Sequence, residues 1–224
     1  MERLADTFFN MPILVDSFPL LMKGLWITLK LAFFSILFGS VLGLLLAMLK
    51  ISHFKVLRII STFYINVFRA LPLIVLLVIV YYALPFVGIE LSPYFAGITS
   101  FTLMSAAYVA EIIRSGIEAL PKGQTEASRS LGFTYLDTMR LIILPQALRI
   151  IIPPFTGNVI NVLKDTALAS TIALPELLKQ AQQIQSWKAS PTPLIGVMII
   201  YLIVLMPMIF FSNRLERRMK SGKN

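Results

Sequence analysis

The chain has 224 residues, 57% hydrophobic and only 14% charged, with a mean hydropathy of +0.81, far from the soluble average of about half apolar and a quarter charged. Its net charge of +9 sits on residues clustered between hydrophobic runs and not on the face of a soluble domain, which argues against nucleic acid as a partner. The absence of cysteine removes disulfide, thiolate and cysteine–metal chemistry.

A spanning helix needs about 20 mostly apolar residues, and the sequence has room for about five. The expectation is an all-α integral membrane protein held in a lipid bilayer. The first 24 residues carry Glu2, Asp6 and Asp16 and lack a basic stretch leading into a short apolar core, so no cleaved signal peptide is expected. The first span is placed at 25–49, interrupted only by Lys30. Within it Ser35, Gly39, Gly43 and Ala47 recur every four residues, a stripe of small side chains that lets another helix approach closely. A polar turn follows, from Lys50 to Lys55, with Ser52 and His53 inside it. One histidine without other ligands makes a poor metal site, so His53 is read as a loop residue.

The second span, at 59–84, contains Arg69 and Pro72 and is expected to break near Ala70 to Leu73. A loop with Pro85, Gly88, Glu90 and Pro93 leads to a third span at 95–117, which gathers Ser105, Tyr108, Glu111 and Arg114 toward its far end. Residues 118–140 are too polar to cross a bilayer. The fourth span is placed at 141–168 and the fifth at 194–211, separated by a polar piece from Pro175 to Pro193. Without an internal repeat, a low-complexity run or a linker, residues 1–224 are read as one membrane domain. Trp26 and Trp187 fall near span ends, where interfacial anchoring accounts for them.

The basic residues fix an expected orientation. Lys50, Lys55 and Arg58 lie in the first turn; Arg114, Lys122, Arg129, Arg140 and Arg149 lie in and around the long loop; Arg214, Arg217, Arg218, Lys220 and Lys223 form the tail. The opposite face holds only Arg3, Lys23, Lys179 and Lys188. Basic loops stay in the cytoplasm, which puts the N-terminus outside and the C-terminus inside. The basic tail is read as a topology determinant near anionic lipid.

The long loop carries the most specific pattern. Pro121 suits a helix start, Gln124 to Leu131 reads as a short helix, and Gly132 supplies a left-handed stop. Thr134 is placed to cap a second helix, with Asp137 in a box-like position, and Leu136, Met139, Ile142 and Ile143 continue it until Pro145 is expected to end the run. Two short helices meeting at a glycine make an exposed knob suited to a groove on a partner.

Within this knob Glu126-Ala127-Ser128, then Gly132, then Ile142-x-Leu144-Pro145 resemble the EAA loop of ABC importer permeases, with Ser128 standing where the motif has alanine. The likeness extends over nearly the whole chain. Phe68-Arg69-Ala70-Leu71-Pro72-Leu73, Ala106 through Gly116, Leu144-Pro145-Gln146-Ala147 and Leu163-Lys164-Asp165-Thr166-Ala167-Leu168 resemble permeases of polar amino acid importers. Arg69-Ala70-Leu71-Pro72 departs from the commoner Arg-Gly-Thr-Pro. The run Lys164 to Thr171 followed by Pro175-Glu176-Leu177 looks most like the cystine permeases.

This resemblance implies a type I ABC importer permease fold in the bacterial cytoplasmic membrane. It implies that Glu126, Ala127, Ser128, Gly132, Ile142, Leu144 and Pro145 dock on ATP-binding cassette ATPase subunits. It also implies a second permease copy, identical or a close paralogue, and an extracytoplasmic amino-acid-binding protein. No G-x-x-x-x-G-K-[ST] loop occurs in the sequence, so nucleotide is not cradled here in the P-loop manner. No cofactor is expected in this chain; ATP and Mg belong to the partner.

Ionisable groups near a bilayer core are costly and point to function. Arg69, Glu111, Lys164 and Asp165 are therefore candidates for a substrate pathway, together with Tyr108, Asn158, Asn161 and Thr166, and Lys30 is a weaker one able to snorkel. An amino acid zwitterion needs both an anion and a cation partner in a desolvated path, and Lys164 with Asp165 supplies both. The alternative is that either pairs with Glu111 or Arg69 to hold helices together. Competing functions are a secondary transporter driven by an ion gradient, which usually shows paired repeats, and a scaffold or channel subunit. An integral enzyme is disfavoured because no nucleophile with a positioned base stands out.

Overall fold

A computed structural model of the chain describes residues 7–221; Glu2, Arg3, Asp6 and Lys223 lie outside them, as does the side chain of Lys220. The described residues are helical with no strand. In order they form α1 (Met11–Ile51), α2 (Lys55–Ala70), α3 (Leu73–Val87), α4 (Pro93–Glu118), α5 (Lys122–Ser130), α6 (Tyr135–Ile172), α7 (Leu177–Lys188) and α8 (Thr192–Ser221). Helices α1, α4, α6 and α8 are each long and apolar enough to cross a bilayer, and α2 with α3 forms a pair bent by 101° at a short break.

The break follows from Pro72. Its ring bars the residue before it from helical geometry, and it caps the next helix instead, with Val75 and Leu76 N–H bonding back to its carbonyl. Helix α1 starts at Met11, well before the first apolar run at Leu25. The carbonyl and side chain of Asn10 cap it by accepting from Leu14 and Ile13 N–H, and Pro19 is carried inside. At 41 residues and about 1.5 Å per residue, it is roughly twice the length that a hydrocarbon core of about 30 Å requires.

Pro145 does not end the run that precedes it. Residues Thr138–Ile143 widen into a π-helix, and an α-helix resumes at Leu144 with Pro145 in its first turn. The wider register, with Leu144 N–H bonded to the Met139 carbonyl, brings the chain to the proline in a first turn, where a missing N–H is tolerated.

Two compact units can be told apart. The first comprises residues up to Leu37, Leu71–Thr102 and Ile160–Met208. Its core is Leu21, Leu177, Ala181, Ile184, Val197 and Ile200, and Gly24 lets α1 approach the backbone of Leu177, where a Cβ would sit 2.8 Å from the Leu177 Cα. Helix α7 lies in the polar piece that the sequence left without a helix. It is bracketed by two alanines in left-handed conformation, Ala173 (φ 57°) and Ala189 (φ 47°).

The second unit comprises Phe38–Ala70, Leu103–Val159 and the residues from Ile209 onward. Its core is Leu46, Ala47, Ile65, Ala106 and Ala110. Gly43 packs so tightly on α4 that a Cβ there would lie 2.7 Å from Val109 Cβ and 2.8 Å from the Ala106 carbonyl. Gly39 and Ala47 of the same small-residue stripe are buried in this unit as well, and Ser35 is buried in the first. Polar pins join the helices of this unit: Tyr64 Oη donates to the Leu103 carbonyl at 2.9 Å, and Thr156 bonds Ser212 at 2.7 Å.

Candidate functional site

The knob is built in the second unit from α5 and the start of α6. Pro121 caps α5 in extended geometry, and Gly132 turns the chain at φ 88°. A Cβ at Gly132 would meet nothing within 4 Å, so backbone conformation alone demands glycine there. Thr134 Oγ1 then accepts from Asp137 N–H at 3.2 Å and donates to the Asp137 carboxylate at 2.5 Å, capping the second helix.

Two contacts hold the knob together that sequence reasoning did not find. Ser128 and Thr138 share a hydrogen bond of 2.8 Å between buried hydroxyls. Gln124 and Gln146 exchange amide hydrogen bonds of 3.1 and 2.8 Å, and Gln146 also donates to the Ile142 carbonyl at 2.9 Å, tying α5 to the base of the spanning part of α6. A signal for the first was the serine in place of the motif's alanine.

With its base fixed, the knob turns its other side outward. Glu126, Ala127 and Gly132 are exposed while Ser128 is buried. Leu131 and Leu136 are 78% and 74% exposed around the glycine turn. Ile142 is half-buried and Leu144 and Pro145 are exposed. Leu131 and Leu136 thus form an exposed apolar pair beside the glycine turn.

A charged cluster lies in the same unit. Glu111 accepts from Lys50 Nζ at 2.9 Å and from Arg114 Nε through both carboxylate oxygens, at 3.2 and 3.1 Å, with a closer contact from the Arg114 terminal nitrogen. Arg114 reaches on to Glu118. Arg69 stands 3.9 Å from Glu111 and lays its guanidinium 5.8 Å from the Tyr108 ring centre. Arg69 and Tyr108 remain substantially exposed, at 42% and 41%. Lys50, which the sequence placed in a polar turn, is the unforeseen member; the α1 helix carries it through to Ile51.

The remaining candidates divide between burial and exposure. Asn158 is buried and donates to Ser105 Oγ at 3.2 Å. Asn161, Lys164 and Asp165 are exposed, at the end of the α-helical part of α6, and Thr166 is fully buried with its hydroxyl on the Leu163 carbonyl. Lys164 and Asp165 form no ion pair within their own unit among the described residues.

The first unit also buries a carboxylate that the sequence reading passed over. Glu176 caps α7, accepting from Leu178 and Lys179 N–H at 2.9 and 2.6 Å, while Leu177 N–H donates to Thr28 Oγ1. Burial pushes the Glu176 carboxyl up to about 7, against the pull of the two N–H donors and Thr28.

The chain matches, over residues 39–221, the family described as binding-protein-dependent transport system inner membrane component. It is 39% identical over 214 residues to the probable amino-acid ABC transporter permease protein YckA of Bacillus subtilis (strain 168), covering 95% of both chains. In the same organism it is 37% identical to the arginine transport system permease protein ArtQ, covering 93% of this chain and 96% of that one. It is also 36% identical to the L-cystine transport system permease protein TcyB, covering 90% and 87%. Among solved structures it resembles an amino acid ABC transporter crystallised with histidines, with a TM-score of 0.87, 38% identity and coverage of 91% of this chain and 96% of that one. Helices, knob and relatives agree: the chain belongs to the binding-protein-dependent transport system inner membrane components, as a permease subunit of an amino acid ABC importer.

Proposed function

We propose that this permease moves a polar L-amino acid, with cystine the first candidate, across the bacterial cytoplasmic membrane at the expense of ATP hydrolysed by a partner. One observation carries the reading: the exposed Glu126-Ala127 surface and the Leu131 and Leu136 side chains sit on a knob whose base is locked by Ser128–Thr138 and Gln124–Gln146. Such an element moves as one body when a groove on an ATPase grips it.

Two ATP-binding cassette subunits, holding ATP and Mg, act beneath two permease copies, and an extracytoplasmic binding protein delivers the substrate. Residues 118–140 are the cytoplasmic coupling loop of a single membrane domain, with the N-terminus outside. In the second unit Arg69 and Tyr108, exposed beside the Glu111 cluster, are the substrate-pathway residues, and in the first unit that role falls to the exposed Asn161, Lys164 and Asp165. Asn158 in the second unit and Thr166 in the first support these residues from buried positions, each within its own unit. Cystine is favoured by the run Lys164 to Thr171 and by the likeness to TcyB; the likeness to ArtQ favours arginine as the second choice.

Uptake of labelled cystine, glutamine, arginine and histidine into proteoliposomes tests this, with the permease reconstituted beside its ATPase and binding protein. Uptake of cystine that needs internal ATP is the expected result. ATP-independent uptake abolished by an ionophore would instead identify a secondary transporter.

A further inference from the structure

The turn between α1 and α2 and the second helix of the knob enclose an apolar cavity of about 430 Å³. Its walls include Leu44 and Met48 of α1, Ile113 and Ile117 of α4, and Tyr135 and Met139 of α6. The size falls in the range of about 300–1,000 Å³ common to small-molecule sites. No Asp, Glu, Lys or Arg lines it; apart from Tyr135, its polar walls are Ser52 and His53, both in the turn.

The mouth and the rim identify the occupant. Leu44, Met48 and Phe54 are 49%, 62% and 72% exposed, so the cavity opens among the outward apolar side chains of a spanning helix. At that level the chain changes from hydrocarbon to charge: Lys55 and Arg58, both exposed, follow Phe54 on one face of the first turn of α2. His53 sets its ring edge-on to Tyr135, 6.3 Å between centres, at the same end. A neighbouring cavity shares Ile51, Ile117, Tyr135 and Met139 but adds Glu118 and Lys122 to its walls, which suits water and not hydrocarbon.

We infer that an anionic phospholipid seats one acyl chain in the Met48–Met139 cavity and rests its phosphate on Lys55 and Arg58. An apolar slot whose wall residue Phe54 is followed by the exposed cations Lys55 and Arg58 is complementary to that molecule at both ends. The acyl chain lies against Tyr135 and Met139, between the first turn and the knob.

The test uses the full chain in phosphatidylcholine nanodiscs doped with a lipid carrying a photoreactive acyl group, either phosphatidylglycerol or phosphatidylcholine, with labelled peptides mapped by mass spectrometry. Labelling at Met48 and Met139 is expected to exceed that at Phe210 and Phe211, which are as exposed as Met48. It should favour phosphatidylglycerol by about fivefold for each of the two cations. The K55Q/R58Q pair, which changes only exposed charges, removes that preference, and Met139→Trp, which fills the cavity, lowers labelling by both probes. Labelling no higher than at Phe210 and Phe211, or a phosphatidylglycerol preference untouched by K55Q/R58Q, overturns the inference.

Discussion

Ser128 Oγ and Thr138 Oγ1 lie 2.8 Å apart, both buried, one on each helix of the knob. The serine that replaces the motif's alanine is thus one half of a pair. Ser128→Ala leaves the Thr138 hydroxyl without this partner in the interior and is expected to cost about 1–2 kcal/mol. Adding Thr138→Val, which removes the other half at similar volume, should restore much of the loss. Thermal unfolding of the two single variants and the double variant in detergent measures the coupling; simple additivity would refute it.

Gly132 sits at φ 88° with open space around it. A valine there is penalised by backbone conformation alone, at about 1–2 kcal/mol, and is expected to loosen the turn between the two helices. Uptake should fall while ATP hydrolysis by the assembled transporter persists. Asparagine, which visits the left-handed region more readily, should retain most of the uptake, so a Gly132→Asn variant as impaired as Gly132→Val would count against the turn as the cause.

Glu111 holds Lys50, Arg114 and Arg69 around one carboxylate that is 20% exposed. Glu111→Gln removes the charge that compensates those cations and is expected to destabilise the protein by about 2 kcal/mol, the scale of a charged hydrogen bond. Pairing it with Lys50→Gln should recover part of that loss. Denaturant or thermal melts report the stability. A Glu111→Gln variant of unchanged stability that has lost uptake would reassign Glu111 from scaffold to substrate contact.

Glu176 titrates across neutral pH. Its folded-state value of about 7 lies above the ordinary 4.5, so the folded chain binds this proton more tightly than the unfolded one. The resulting stability is fully present below about pH 4.5 and is lost as pH rises through about 7. Melting temperature should therefore fall across that window. Glu176→Gln keeps an acceptor for an α7 N–H while abolishing the titration, and should flatten the profile; an unchanged slope in that variant would place the titrating group elsewhere.

Much of this architecture was legible because it depends on local rules. The apolar runs marked the four long helices, Pro72 marked the bend, and Gly132 with Thr134 and Asp137 marked the turn and cap of the knob. What escaped depends on partners far apart in sequence or on a register change. Lys50 meets Glu111 across 61 positions, and Gln124 meets Gln146 across 22. Pro145 was misread as a stop because the π-turn that accommodates it has no periodicity to detect. Helix α7 hid in a polar stretch whose cap, Glu176, was read as part of a motif and not as a helix start.

Ala173, at the end of α6, and Ala189, at the end of α7, hold left-handed backbone without the freedom of glycine. Any alanine codon becomes a glycine codon by one base change at its second position. Two such changes lie open to this lineage, each trading backbone strain in the fold against added freedom in the unfolded chain. Where relief of the strain outweighs that freedom, each change tightens an end of a helix without any new contact, one nucleotide at a time.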